Sequence, residues 1–129
     1  MSTKMKLSEA ASRNLDEMAN VLSLRRNVVC RIAIGVSLRE EDPPAIDKAD
    51  SNGTEFNKPT ILGTDEPVLT ALISQHFGTR IDPEDFFSRY VRAEITRGLE
   101  TMVREYRTIN SPVEYFERLS GLKGEIEEH

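Results

Sequence analysis

The sequence predicts a mainly α, compact single-domain protein with room for a short N-terminal strand or arm and a long loop over residues 40–64. Three observations carry this reading. Apolar residues recur at spacings of three and four through residues 8–38 and again through 66–106. Between those blocks runs REEDPPAIDKADSNGTEFNKPTILGTD, whose Pro43, Pro44 and Pro59 exclude a continuous helix and whose Ser51-Asn52-Gly53 is a turn signal. With 129 residues, 38% of them hydrophobic and 30% charged, the chain can bury one core without metal or disulfide support.

Residues 1–7 are basic and mostly polar, and Lys4, Met5, Lys6 and Leu7 alternate as an edge or ribbon strand does. Ser8 is a good N-cap, with Glu9 in the first turn where negative charge is favoured. Ala11, Leu15, Met18, Ala19 and Leu22 then form one face of an amphipathic helix, leaving Arg13, Asp16, Glu17 and Asn20 outward. Ser23 is expected to cap the next helix after a tight turn.

That second helix, Arg25 to Leu38, is the stretch the rest of the chain is organised around. Val29, Ile32, Ala33 and Val36 share a face that Val28 widens, and Cys30 and Ile34 lie well around from it. Arg31 is the only charge between Arg26 and Arg39, so the helix must be covered on several sides, by its own chain or by another copy. Arg25 and Arg26 put positive charge in the opening turn, against the helix dipole. Either both extend into water or a phosphate shares the free backbone N–H groups with them.

In the connection, Phe56, Ile61 and Leu62 are expected to anchor residues 54–64 while 40–53 move more freely. Its Glu40, Glu41 and Asp42 lack metal-loop spacing and read as a solvated acidic face. A third helix is capped by Thr64 or Asp65, with Pro67 near its start and Val68, Leu69, Leu72 and Ile73 inward, and ends at Phe77-Gly78. Asp82-Pro83-Glu84 opens the longest helix, running to Tyr106. Phe86, Phe87, Tyr90, Val91, Ile95, Leu99, Met102, Val103 and Tyr106 are expected inside it, and Gly98 marks close packing or a bend. Arg89, Arg92, Arg97, Arg104 and Arg107 alternate with acids there and read as solvent-exposed ion pairing. Ser111-Pro112-Val113-Glu114 is a capping box for a helix through about Leu119, with Val113, Phe116 and Leu119 available for docking. The organisation is therefore a domain over 1–120 and a flexible acidic tail over 121–129.

Net charge is −5 and unevenly spread. Residues 1–39 hold seven Lys or Arg against three acids, a balance of +4 that leaves −9 for the remainder. Any nucleic-acid face therefore belongs near the N-terminal part or at a junction between subunits, with plain solvation as the alternative. Cys30 is alone, which excludes an intrachain disulfide and a cysteine-built metal cluster, and its apolar setting favours a buried inert thiol. No carboxylates stand in metal-ligand spacing, no Gly-rich phosphate loop or HExxH occurs, and His76 reads as structural. The chain reads as a binding module without catalytic residues, metal or cofactor. Without a signal peptide or an apolar run near 18 residues, a cytoplasmic protein with no membrane contact is expected.

Leu7-Ser8-Glu9-Ala10 with Leu15, Asn27-Val28-Val29-Cys30-Arg31-Ile32-Ala33, Ser37-Leu38, Gly53-Thr54-Glu55-Phe56-Asn57-Lys58, Thr60-Ile61-Leu62-Gly63 and the Arg97-Gly98 step together resemble the DndE family. DndE is the small subunit of bacterial DNA phosphorothioate (sulfur) modification systems. The resemblance spans roughly residues 7–119, and its NxxCRIA and EFN[K/R]xTxLG blocks are specific in combination. It implies a homotetramer that binds double-stranded DNA with a preference for nicks. Its partners would be a cysteine desulfurase, an iron–sulfur protein and an SMC-like ATPase. Lys4, Lys6, Arg13, Arg25, Arg26 and Arg31, repeated between copies, would then contact the DNA backbone. The family often has Thr-Pro where this chain has Arg25-Arg26, so the entry to the second helix departs from the pattern.

Two other readings stay open. A ribbon-helix-helix-like transcription regulator would use the KMKL stretch as an intersubunit ribbon and select one operator. A DNA nickase would need a catalytic constellation that the sequence does not offer.

Overall fold

The computed structural model describes residues 3–46, 48–109 and 112–127. Alternation at the N-terminus produces a strand, β1 (Lys4–Lys6), with Met5 buried and both lysines outward. Its antiparallel partner is β2 (Glu55–Asn57), in the register Lys4↔Asn57, Met5↔Phe56 and Lys6↔Glu55. Met5 and Phe56 thus enter the core side by side. The Leu7 N–H donating to the Thr54 carbonyl (3.0 Å) and the Lys58 N–H donating to the Thr3 carbonyl (2.8 Å) lengthen the ribbon at both ends. The ribbon closes within one chain, against the intersubunit ribbon that a regulator would need.

Helix α1 (Glu9–Leu22) follows, with the Ser8 hydroxyl accepting from the Ala11 N–H as its cap and Ala11, Leu15, Met18 and Leu22 inside. Ser23 does not cap the second helix. It sits in the left-handed region (φ 55°) and ends α1, and the Leu24 N–H donates to the Ala19 carbonyl at 3.1 Å. The N-cap of α2 (Arg26–Leu38) is Arg25, extended and without a side-chain cap. The turn needed a left-handed residue to reverse the chain, and Ser23 occupies that position.

Val29, Cys30, Ala33, Ile34, Gly35, Val36 and Ser37 of α2 are buried within the single chain. The cover comes from α1, α3 (Lys58–Leu62), α4 (Glu66–Phe77), α6 (Arg92–Thr108) and α7 (Pro112–Glu127), with α6 as the main partner. The breadth of α2's apolar surface therefore does not require a second copy. Gly98 lets α6 approach: a Cβ there would meet the Ala33 carbonyl.

Expectations about helix faces change on three helices. On α4 only Leu69 and Ile73 are buried, whereas Val68 (36% exposed) and Leu72 (39%) face outward. The long helix is three pieces: α5 (Pro83–Asp85), capped by Asp82, then a π-helical segment (Phe86–Val91), then α6. A π segment shifts the helical phase. Tyr90 is consequently only half-buried, while Arg92, Ala93 and Glu94 are drawn inside; Tyr106 is half-buried as well. On α7, Tyr115 and Leu119 are buried and Val113 and Phe116 are exposed, so Leu119 belongs to the core, not to a docking face. The helix runs beyond Leu119 to Glu127; Ser111, the expected cap, lies outside the described residues.

Candidate nucleic-acid interface

The six cations expected to meet DNA come from three elements: β1, α1 and the start and middle of α2. Lys4 and Lys6 share the outer face of β1, with Lys6 opposite Glu55. Arg13 lies on the first half of α1 with Nη1 3.8 Å from Glu9 Oε1. Arg26 crosses from α2 to α1, its Nε 2.9 Å from Asp16 Oδ1. Arg25 is exposed, and its guanidinium has no ion pair among the described residues. Arg31 is half-buried, also without an ion pair among the described residues. Its Nη1 stands 3.3 Å from where a Cβ on Gly63 would lie, and Gly63 has φ +54°.

Between the ribbon at one end of α1 and Arg25 at the other, 14 helical residues span about 20 Å, the rise of about six base pairs. Arg13 and Arg26 are partly neutralised by neighbouring acids, and Arg107 likewise approaches Glu17 at 3.5 Å. These exposed pairs are weak and are screened by salt. Arg25 and Arg31 are the arginines of the set that have no ion pair among the described residues.

The arginines of the long helix divide, and here the expectation of solvent-exposed pairing fails for two of them. Arg92, only 7% exposed, donates to the carbonyls of Lys6 (2.7 Å), Ala49 (3.0 Å) and Asp50 (2.6 Å) and to the Ser51 hydroxyl (2.9 Å). Arg97 donates to the carbonyls of Ser37 (2.8 Å) and Asp42 (2.7 Å) and lies 3.4 Å from the Glu40 carboxylate. A planar guanidinium suits such convergent acceptors. These two side chains tie residues 40, 42 and 49–51 to the long helix. Ser12 adds a third tie, donating to the Thr54 hydroxyl and accepting from the Thr54 N–H. Beside it Gly53 has space only for hydrogen, because a Cβ would strike the Ser12 hydroxyl and the carbonyls of Leu7 and Ser8. Sequence periodicity could not signal any of this, since the acceptors are backbone carbonyls remote along the chain.

No group of three or more His, Cys, Asp or Glu side chains able to hold a metal occurs among the described residues. Cys30 is fully buried, and burial pushes its thiol up to about 12, far from a nucleophilic thiolate. His76 is committed to a buried contact with Glu94 at 2.7 Å. No helix among the described residues is long and apolar enough to cross a membrane.

The family model described as DNA sulphur modification protein DndE matches residues 4–110. The chain belongs to the DndE family. Among solved structures it is similar to DndE from Escherichia coli B7A, described as involved in DNA phosphorothioation modification. The TM-score is 0.66 at 17% identity, covering 78% of this chain and 95% of that one. It is also similar to a DndE mutant with two glycines replaced by lysine, involved in DNA phosphorothioation, with TM-score 0.63, 17% identity, and 81% and 99% covered. At that identity the likeness to these DndE structures concerns the fold. None of the curated protein sequences matches the chain. The DndE match takes in the ribbon, α1, α2 and the whole of α6, so it includes all six candidate cations and both loop-holding arginines.

Proposed function

We propose that this chain is a non-catalytic DNA-binding component of a DNA phosphorothioation machinery, contacting the backbone of duplex DNA with a preference for nicks. Its other partners are a cysteine desulfurase, an iron–sulfur protein and an SMC-like ATPase, and it works as a homo-oligomer, a tetramer. The observation that carries the reading is the match to the DndE family across residues 4–110, the region that contains the N-terminal charge excess. Lys4, Lys6, Arg13, Arg25, Arg26 and Arg31 supply the phosphate contacts, with Arg25 and Arg31 strongest because no acid pairs with them among the described residues.

Arg25 also stands where the first backbone N–H groups of α2 lack a side-chain cap, so one phosphate can meet both. Contacts of this kind read backbone charge and duplex shape, not base edges. A nick lowers the cost of fitting DNA to a rigid protein surface, which gives the preference for nicked substrate.

Gel-shift titrations of intact and nicked duplexes of one sequence, at three salt concentrations, test the proposal. Binding should weaken as salt rises and favour the nicked duplex at each concentration. Failure to shift either duplex, even at low salt, removes the DNA assignment. Light scattering coupled to size exclusion tests the assembly separately: four copies are expected, and a monomer at working concentration overturns that part alone.

A further inference from the structure

The imidazole of His76 on α4 is held at both nitrogens. Nδ1 lies 2.7 Å from Oε2 of Glu94 on α6, and Nε2 lies 2.7 Å from the backbone carbonyl oxygen of Glu40, just past α2. A carbonyl oxygen only accepts, so Nε2 must carry hydrogen. The contact at Nδ1 then needs a second proton, on the ring or on the carboxyl. The other carboxyl oxygen, Oε1, accepts from the Ser37 hydroxyl at 2.7 Å and lies 3.8 Å from Arg97 Nη2. Both neighbours favour the carboxylate, so the second proton belongs to the ring.

Glu94 is completely buried, and the side chains of His76 and Arg97 join it to residues 40 and 42. We propose that His76 is a proton-operated latch on the head of the 39–53 connection. As an imidazolium it ties Glu40 to Glu94 across α4 and α6. The proton on Nδ1 is held against the buried Glu94 carboxylate, so the ring gives up the one on Nε2. A ring lone pair then faces the Glu40 carbonyl oxygen across that short contact. The bond to Glu40 is lost and the two must draw apart, while Nδ1–H stays on Glu94.

The groups facing His76 are consistent with this direction. Glu94 and Arg97 come from α6, and neutral Ser37 comes from α2. The Glu40 carboxylate is turned to Arg97 at 3.4 Å. Arg39 and Glu41 line the open groove that His76 shares with Leu38 and Leu72, and this groove gives the proton its route to water. Arg97 stays charged throughout and keeps its hold on Asp42, so the segment that loosens is Arg39–Glu41. Of the side chains that reach Glu40, the imidazole is the one that can give up a proton, since the guanidinium keeps its charge.

Long-range proton–nitrogen spectra of the imidazoles, with amide hydrogen exchange on the full chain, test the latch between about pH 6 and about pH 8.5. At the lower pH both ring nitrogens of His76 should carry hydrogen. As the ring loses one, exchange at Glu40 and Glu41 should rise about tenfold beyond the base-catalysed increase measured on an unstructured peptide. In Glu94→Gln the side-chain amide donates to Nδ1 of a neutral ring that keeps its Nε2–H on Glu40, so protection should persist with no pH step. In His76→Gln protection should be low at both pH values. Exchange in wild type that ignores the His76 titration, or an unchanged pH step in Glu94→Gln, overturns the proposal.

Discussion

Gly98 of α6 lies so close to Ala33 of α2 that a side chain at 98 would stand on the Ala33 backbone carbonyl. The obstacle is backbone, in the most extensive helix contact of the molecule, and it cannot rotate aside. Gly98→Ala should therefore destabilise the fold by about 3 kcal/mol despite alanine's better helix propensity. Urea unfolding monitored by circular dichroism measures this. A midpoint equal to or above wild type would mean that α2 and α6 separate more easily than the packing indicates.

Arg92 joins β1 to residues 49–51 by donating to the carbonyls of Lys6, Ala49 and Asp50. Arg92→Lys keeps the charge but loses the fork, and Arg92→Ala leaves the carbonyls at Lys6, Ala49 and Asp50 to find water. Losses of the order of 3 kcal/mol are expected for alanine, with lysine recovering only part. Proteolysis within residues 42–52 should accelerate in both variants. A resistant loop in Arg92→Ala would show that Ser12 and Arg97 suffice.

The strand and first helix were legible because Met5, Ser8 and Leu15 each act through short-range rules: alternation, capping and helical spacing. Gly98 was legible for the same reason, since glycine inside a long apolar pattern needs a packing cause. Ser23 was not, because only the backbone reversal decides whether a serine ends one helix or begins the next. The burial of Arg92 and Glu94 was hidden by the π segment, which moved the inner face by a residue. The candidate cations could be named from charge alone, and Arg13 meets Glu9 at helical spacing, but the pairing of Arg26 with Asp16 depended on α1 and α2 lying side by side.

Asp50 accepts from the backbone N–H groups of Glu9 and Asn52, each at 2.9 Å, and these bonds hold its carboxyl below the usual carboxylate range, with a smaller contribution from Arg92. The folded chain therefore binds this proton less readily than the unfolded chain. Its stabilising effect is complete above the unfolded carboxylate range and is lost as pH falls through the depressed folded value. Between about pH 5 and about pH 3, wild type should lose stability more steeply than Asp50→Asn. Parallel slopes for the two proteins in acid unfolding would contradict this.

Cys30, pushed up to about 12 by burial, should resist alkylation at mildly alkaline pH in the folded protein. It should react fully once denaturant is added, as mass spectrometry would record. Rapid labelling without denaturant would mean that α2 opens readily.

The proposal that backbone contacts come from uncompensated cations around α2 is tested most directly by charge reversal. Nicked-duplex affinity of Arg25→Glu/Arg31→Glu is compared with that of Arg13→Glu/Arg26→Glu by fluorescence anisotropy at low salt. The first pair should lose about tenfold or more relative to the second, with a shallower salt dependence than wild type. Equal affinities for wild type and Arg25→Glu/Arg31→Glu would contradict the account.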